Sequence, residues 1–380
     1  MYKLIACIFF YQKRDLFALE GLYCPAKKSQ ISKYEGRDLI NMKALIELQK
    51  MIYPDLLESM DMRFNVLYAI SLFEPIGRRG IVEQTRYTER YIRNEVEILQ
   101  TQGLIKVTTQ GMYVTEDGQT IINELQDFIR EFSGVASLED KLKETFNLNH
   151  VLVVSGNSEQ DDFVKDELGR ATVSYLKELV DKDEIIAVTG GTTMASVASA
   201  MVPLNDYKCL FVPARGGVGS LVENQANTIA AKMGSKEKGE YALLHVPDPM
   251  SEALYQTMLK EASIADTLRN IKRANIVLHG VGNALKMAER RQTNEAIYQK
   301  LKRKKAVAEA FGYYFDEAGE VVHKVRTIGL QLNDLSVIDY VITVAGGKSK
   351  ARAIAAFMKQ GKSDVLITDE AVANELLNIK

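Results

Sequence analysis

Two rhythms of apolar residues divide the chain. From Met42 the spacing is helical, through Leu45, Leu48, Ile52 and Leu56. A helix over 54–71 comes next, with Leu56, Met60, Phe64, Leu67 and Ile70 on one face. Glu74-Pro75-Ile76-Gly77 breaks it. The pattern then predicts a short helix over 79–84 and a third helix that Thr88 caps, running to Gln102 with an Ile92, Val96, Leu99 stripe and ending at Gly103. Runs at 104–107 and 112–114 flank Thr109-Gln110-Gly111, which reads as a hairpin with glycine at its turn. Three helices and a hairpin make a winged helix-turn-helix, expected over 42–118.

The next segment, 119–147, reads as connecting helices. It carries Leu125, Phe128 and Phe132, then Leu138, Leu142 and Phe146, with Gly134 between the two sets. Periodicity leaves open whether this stripe is a dimer seam or a cover for the larger C-terminal domain. From residue 148 the rhythm changes to short, continuously apolar, β-branched runs alternating with helical stretches: 151–155, 185–189, 209–213, 242–246, 276–280, 341–345 and 365–368. Runs of that kind suit a parallel sheet covered on both faces, so the fold class is α/β, with 148–380 a doubly wound sheet domain. The segment 311–324 reads as an inserted hairpin. Residues 1–41 lack a sustained period and are expected to be a disordered extension, or to lie upstream of a start at Met42.

Composition narrows the function classes. The formal net charge is −2, so any surface for nucleic acid must be local. Such a surface exists: residues 76–93 hold five arginines and two glutamates, and the outward face of the third helix carries Arg90, Arg93, Asn94 and Glu97, with Arg86 just before it. Arginine pairs with guanine edges or phosphates and asparagine with adenine, which makes Arg86, Thr88, Arg90, Arg93 and Asn94 the candidate DNA contacts. A solvated helix face is the bland alternative; the order helix, turn, helix, hairpin weighs against it. Cys7, Cys24 and Cys209, with His150, His245, His279 and His323, form neither a zinc pattern nor a disulfide framework, so no metal is expected and a reducing cytoplasm fits. The apolar run at 4–11 is shorter than the roughly 20 residues of a membrane helix and lacks a cleavage site, so neither membrane nor signal peptide is expected.

Ligands of open parallel sheets bind at the carboxyl ends of strands, and four such ends here are distinctive. Thr189-Gly190-Gly191-Thr192-Thr193 closes one strand and opens a helix, where backbone N–H groups favour an anion. Arg215-Gly216-Gly217-Val218-Gly219 adds a fixed positive charge, Gly346-Gly347-Lys348-Ser349-Lys350 opens another helix, and Gly280-Val281-Gly282-Asn283-Ala284 is followed by Arg290 and Arg291. Tight turns need glycine anyway, but three such loops with cations point to one or two phosphates. Nucleotide motifs fail: the first P-loop glycine would fall at Ile342, and Leu285 stands where a dinucleotide fingerprint needs its third glycine. A sugar-phosphate isomerase or deaminase is the enzyme alternative, with Asp369, Glu370 and Glu309 as candidate bases; no tight acid–base constellation supports it, so no catalytic residues are expected. Lys302-Arg303-Lys304-Lys305 reads as a solvated face.

These segments resemble the SorC-type sugar-responsive repressors. The resemblance rests on GRRGIVEQT, TERYIRNEVEILQTQGLI, AVTGGTT, LFVPARGGVG, NQANTIA, AEAFGYYFDEAGEVVHKV and VAGGKSKARAI, and it covers about 42–380. It implies a repressor of glycolytic genes, specifically an operon for lower glycolysis, with fructose 1,6-bisphosphate as inducer and a dimer or tetramer on operator DNA. It also implies effector contacts at Gly191 and Thr192, at Arg215, Gly216 and Gly217, and at Arg290, Glu309 and Lys350. Lys348 and the 302–305 run depart from the family's pattern, which leaves room for a SorC-type regulator of a different sugar phosphate.

Overall fold

The computed structural model describes residues 54–379, apart from 218–220 and 249. The expectations for 1–41 and for a start at Met42 lie outside the described residues, as do Val218 and Gly219. The N-terminal helices are α1 (Pro54–Phe73), α2 (Arg78–Thr85) and α3 (Glu89–Thr101), followed by β1 (Ile105–Val107) and β2 (Met112–Val114). Phe64, Leu67 and Ile70 of α1 meet Ile81, Ile92, Val96, Leu99, Ile105 and Met112 in one apolar cluster. Strand β2 pairs antiparallel with β1, and Ile76 bridges to Met112, so the hairpin is braced on the turn after α1. Glu95 is a charged residue in this interior; it is 3 % exposed and is held by Arg63 at 2.5 Å.

Helix α3 starts where a cap permits. Thr88 is extended and its hydroxyl accepts from the Tyr91 N–H at 3.3 Å, satisfying one of the four donors a helix start leaves orphaned. Thr88→Ala is therefore expected to cost about 1 kcal/mol, read as a lower urea midpoint of the head with an unchanged effector affinity; an unchanged midpoint would remove the cap from the account.

Helices α4 (Glu116–Ser133) and α5 (Val135–Phe146) divide at Gly134, whose φ of 80° needs glycine. They serve different cores. Ile121, Ile122, Leu125 and Ile129 join the head's cluster. Val135 and Leu142 pack under the sheet, so α5 is a cover.

The sheet holds β3 (His150–Val154), β4 (Ile185–Val188), β5 (Leu210–Pro213), β6 (Glu240–Tyr241), β7 (Ile276–His279), β12 (Tyr340–Val344) and β13 (Val365–Asp369), in the order β3-β13-β12-β7-β4-β5-β6, all parallel. Alternate residues of each strand enter opposite layers. Ile186 and Val188 pack on α6 (Asp162–Leu179), α7 (Thr192–Ala200) and α8 (Ala226–Glu237). Ala187, Val277 and Val341 pack on the other side, where α5 is joined by α10 (Ala262–Lys272), α13 (Ala351–Met358) and α14 (Glu370–Asn378); α9 (Glu252–Met258) lies just before α10. From β4 the chain winds outward through β5 and β6, then returns to the other side of β4 as β7. The topological switch point therefore lies between β4 and β7.

Two expectations need correction. The apolar run at 242–246 is not a strand: the ladder stops at the Ala242 N–H, which donates to the Phe211 carbonyl. Beyond it Asn227 takes the place of a strand partner, bonding Leu244 N–H and C=O at 2.9 and 3.0 Å through its side chain. The segment 311–324 is not an isolated hairpin but part of a four-stranded antiparallel sheet of β8 (Gly282–Asn283), β9 (Ala308–Ala310), β10 (Tyr313–Phe315) and β11 (Val321–Lys324). Phe311 and Gly312, at φ 52° and 82°, form the two-residue turn between β9 and β10. Helices α11 (Ala284–Arg290) and α12 (Glu295–Arg303) pack on this small sheet through Ala284, Ala288, Leu301 and Tyr314.

Candidate functional site

The loops after β4, β5, β7 and β12 open onto one pocket of about 510 Å³ at the switch point. Thr189 to Met194 line one wall, Arg215, Gly216, Asn224 and Gln225 a second, Gly280 to Asn283 with Lys286 and Arg290 a third, and Ser349 and Lys350 the fourth. The size suits a small organic ligand. At the β4 end Gly191 is the N-cap of α7 with φ 126°, a conformation that side chains rarely adopt, and it offers no side-chain cap. The first N–H groups of α7 are thus left for a ligand.

Two kinds of cation meet here. Arg215 and Arg291 are 6 % and 7 % exposed and already neutralised. Arg215 binds Asp248 through Nε (2.9 Å) and Nη2, and its Nη1 reaches Glu309 Oε1 at 3.2 Å. Arg291 gives Nη2 to the same oxygen at 2.7 Å and Nη1 to the Tyr314 hydroxyl at 2.9 Å. The Gly312 N–H adds a third donor to Glu309 Oε1 at 2.8 Å. Burial alone would raise the Glu309 pKa; the Arg291 and Arg215 charges and these hydrogen bonds reverse that and hold it below the usual carboxylate range. Lys286, Arg290 and Lys350 form no ion pair among the described residues. Burial, with Lys165 adding repulsion, lowers the Lys350 pKa, a cost that a bound anion would relieve.

The predicted effector residues Gly191, Thr192, Arg215, Gly216, Arg290, Glu309 and Lys350 thus line one cavity, and Gly217 comes directly after Gly216 with its chain bridged to Pro247. Arg215, expected as a fixed positive charge, is fixed by its pairs with Asp248 and Glu309. Lys348 turns away, 3.4 Å from Glu375. Asn283 and Ser349 enter from loops already singled out, whereas Lys286, Asn224 and Gln225 were not foreseen as lining residues. Lys286 had a signal: it stands four residues before Arg290 on α11, the same face of one helix. Asp369 and Glu370, the candidate bases, are structural. Asp369 Oδ2 accepts from Ser158 N and Oγ and from Gly347 N, and Oδ1 accepts from Val372 N, while Glu370 accepts from Gly156 N. His279 is a core histidine; burial lowers its pKa to about 4 and its Nε2 meets the Thr343 hydroxyl at 2.8 Å.

The second surface is on the head. Arg90, Arg93 and Asn94 project to solvent from α3, opposite the buried Ile92, Val96 and Leu99. Arg93 also lines the groove between α3 and the hairpin, with Arg78, Glu97 and Thr108 to Met112. Thr88 spends its hydroxyl on the cap. Arg86 points elsewhere: it lies 3.2 Å from Asp166 and 3.6 Å from Asp161, against the Phe163 ring of the sheet domain. Arg170 stacks on that ring from α6 and donates to the Gln84 carbonyl at 2.6 Å, and Leu72 of α1 is buried in the same layer as α6. The head is fastened to α6.

Comparison with known proteins decides the family. Residues 130–378 match the model described as "Putative sugar-binding domain" and 59–129 match "CggR N-terminal DNA binding domain". The chain belongs to the SorC-type sugar-binding regulators. Within them it is 51 % identical over 338 residues to the central glycolytic genes regulator of Priestia megaterium and 46 % identical over 337 to that of Bacillus subtilis, covering 88 % of this chain and 99 % of each relative. A SorC family transcriptional regulator from Enterococcus faecalis superposes with a TM-score of 0.60 at 46 % identity, covering 63 % of this chain and 99 % of that one. The regulator is a DNA-binding repressor relieved by a phosphorylated sugar. Among the described residues no helix is long and apolar enough to cross a membrane, and no three His, Cys, Asp or Glu side chains could hold a metal ion.

Proposed function

We propose that the regulator represses glycolytic genes in the cytoplasm and is released from its operator by fructose 1,6-bisphosphate. The observation that carries this reading is the combination of Lys286, Arg290 and Lys350, which form no ion pair among the described residues, with the start of α7, which has no side-chain cap, in one pocket. A bisphosphate has two anionic ends, and the pocket offers two anion-binding ends. One phosphate meets the N–H groups of Thr192 and Thr193 with the 215–217 loop; the other meets Lys350 and Arg290. Glu309 Oε2 is left for a sugar hydroxyl, and the Arg215–Asp248 pair holds the wall rather than supplying net charge. The head comprises 42–118, the helices of 119–147 connect, and 148–380 binds the effector. Operator binding runs through Arg90, Arg93 and Asn94, two heads of a dimer or tetramer being set at the half-site spacing. Release results if the effector prefers the arrangement that does not bind DNA.

The test is a gel shift on the protein's own upstream region, titrated with fructose 1,6-bisphosphate, glucose 6-phosphate and fructose. Release by the bisphosphate at the lowest concentration is expected, with Arg290→Ala raising the half-point about tenfold or more. Release by fructose, or by a monophosphate at lower concentration, would replace the bisphosphate with another sugar.

A further inference from the structure

The segment from β3 to α6 bonds to the β12 loop, whose Ser349 and Lys350 line the pocket, and it also meets the head. Asp369 ties it to the β12 loop, because one oxygen of Asp369 accepts from Ser158 on this segment and from Gly347 on that loop. Next to Ser158 stands Glu159. Its Oε2 accepts from the Ser349 N–H at 3.0 Å, beside Lys350 in the turn Lys348–Lys350. A backbone N–H flanked by a lysine at the opening of a helix is where an anion binds, and here the anion is supplied by the protein. The carboxyl is held below the usual range by the bonds to Ser349, with Lys286 and Lys350 acting on it as well. Both lysines line the pocket. Two residues further on, Asp161 caps α6 and faces Arg86; Phe163, Asp166 and Arg170, which fasten the head, come within the next ten residues.

We propose that Glu159 is a built-in competitor of the effector: its carboxylate occupies the Ser349 N–H and must be displaced by a phosphate of the ligand. This rests on the pocket being the anion site argued above. A dianionic phosphate at Ser349 and Lys350 takes that N–H and repels the carboxylate. The displaced residue lies on the segment that begins α6, so the displacement acts on the strap that carries the Arg86 and Arg170 contacts. Phosphate occupancy at one end of the sheet thereby loosens the head at the other end of the segment.

The experiment is isothermal titration of the full chain with fructose 1,6-bisphosphate and, separately, with inorganic phosphate, for the wild type, Glu159→Gln and Glu159→Ala. Removing a like charge at this partly solvated range is expected to tighten binding about three- to tenfold in both variants. The half-point of operator release should fall by the same factor, as linkage requires. Unchanged binding would overturn the proposal, and so would weaker binding, which would make Glu159 a ligand for the sugar. If the wild type binds inorganic phosphate but not the bisphosphate, the choice of effector fails while the Glu159 comparison is read with inorganic phosphate. If it binds neither, the anion site and the competitor fail together.

Discussion

Arg215→Ala is expected to cost the regulator about 3–5 kcal/mol of stability. The reason is what Arg215 touches. Its guanidinium is the ionic partner of Asp248, whose side chain is fully buried and whose Oδ1 has no hydrogen-bond partner even in the intact protein. It is also one of two guanidiniums on Glu309. Truncation leaves Asp248 without its cation in a site that water does not reach, with only the Thr327 hydroxyl on its Oδ2. The loss is read as a drop in the urea midpoint of the sheet domain; a variant within about 1 kcal/mol of wild type would show that these charges are not mutually dependent. The pH dependence carries the same signature. Glu309 has a lower pKa folded than unfolded, so its contribution is fully present above about pH 4.3 and is lost as pH falls through the depressed folded value. Without Arg215 one lowering charge is gone while burial still raises, so the acid transition moves to higher pH. A loss of effector response in this variant therefore reports folding first, and the exposed Arg290 is the position at which to ask about binding alone.

The anion loops were legible because glycine, threonine and cations at strand ends are local signals, and the sheet brought them together where the strand order reverses. The ion-pair cluster was not. Asp248 and Arg215 are 33 residues apart and meet only because the chain returns past the edge of the sheet after β6. Arg291 had a trace in sequence: it caps α11 in line with the buried Ala284 and Ala288, as Lys286 and Arg290 form the outer stripe. Charge alone took the two neighbouring arginines together, and it was the family resemblance that pointed to the outer one. The helical order of the head came from caps and breakers, with ends shifted by one or two residues. The direction of Arg86 had no local signal, since it is set by Phe163, Asp161 and Asp166 of another domain. The 242–246 run failed for a related reason: an apolar segment becomes a strand only with a neighbour to pair with, and Asn227 supplied its bonds instead.

Arg93→Ala is expected to weaken operator binding about 5- to 150-fold, the equivalent of about 1–3 kcal/mol for a paired base contact. Arg93 lies one turn into α3, between the outward Arg90 and Asn94 and the groove that the hairpin walls off. Its guanidinium forms no ion pair among the described residues, so nothing must be broken before it reaches DNA. Being exposed, it should leave stability within about 0.5 kcal/mol of wild type and the effector affinity unchanged. Fluorescence anisotropy on operator and on unrelated DNA separates the two ways an arginine binds. A base contact lowers affinity for the operator far more than for unrelated DNA; a phosphate contact lowers both alike and reduces the salt slope by about one. The base contact is the expected outcome, because the first turns of a reading helix face the groove floor. Equal operator affinity in the variant would move the reading surface off α3. Arg86→Ala is the internal comparison: its guanidinium is held by Asp161 and Asp166, so its loss should weaken operator and unrelated DNA to the same small extent, through the seating of the head rather than through the bases.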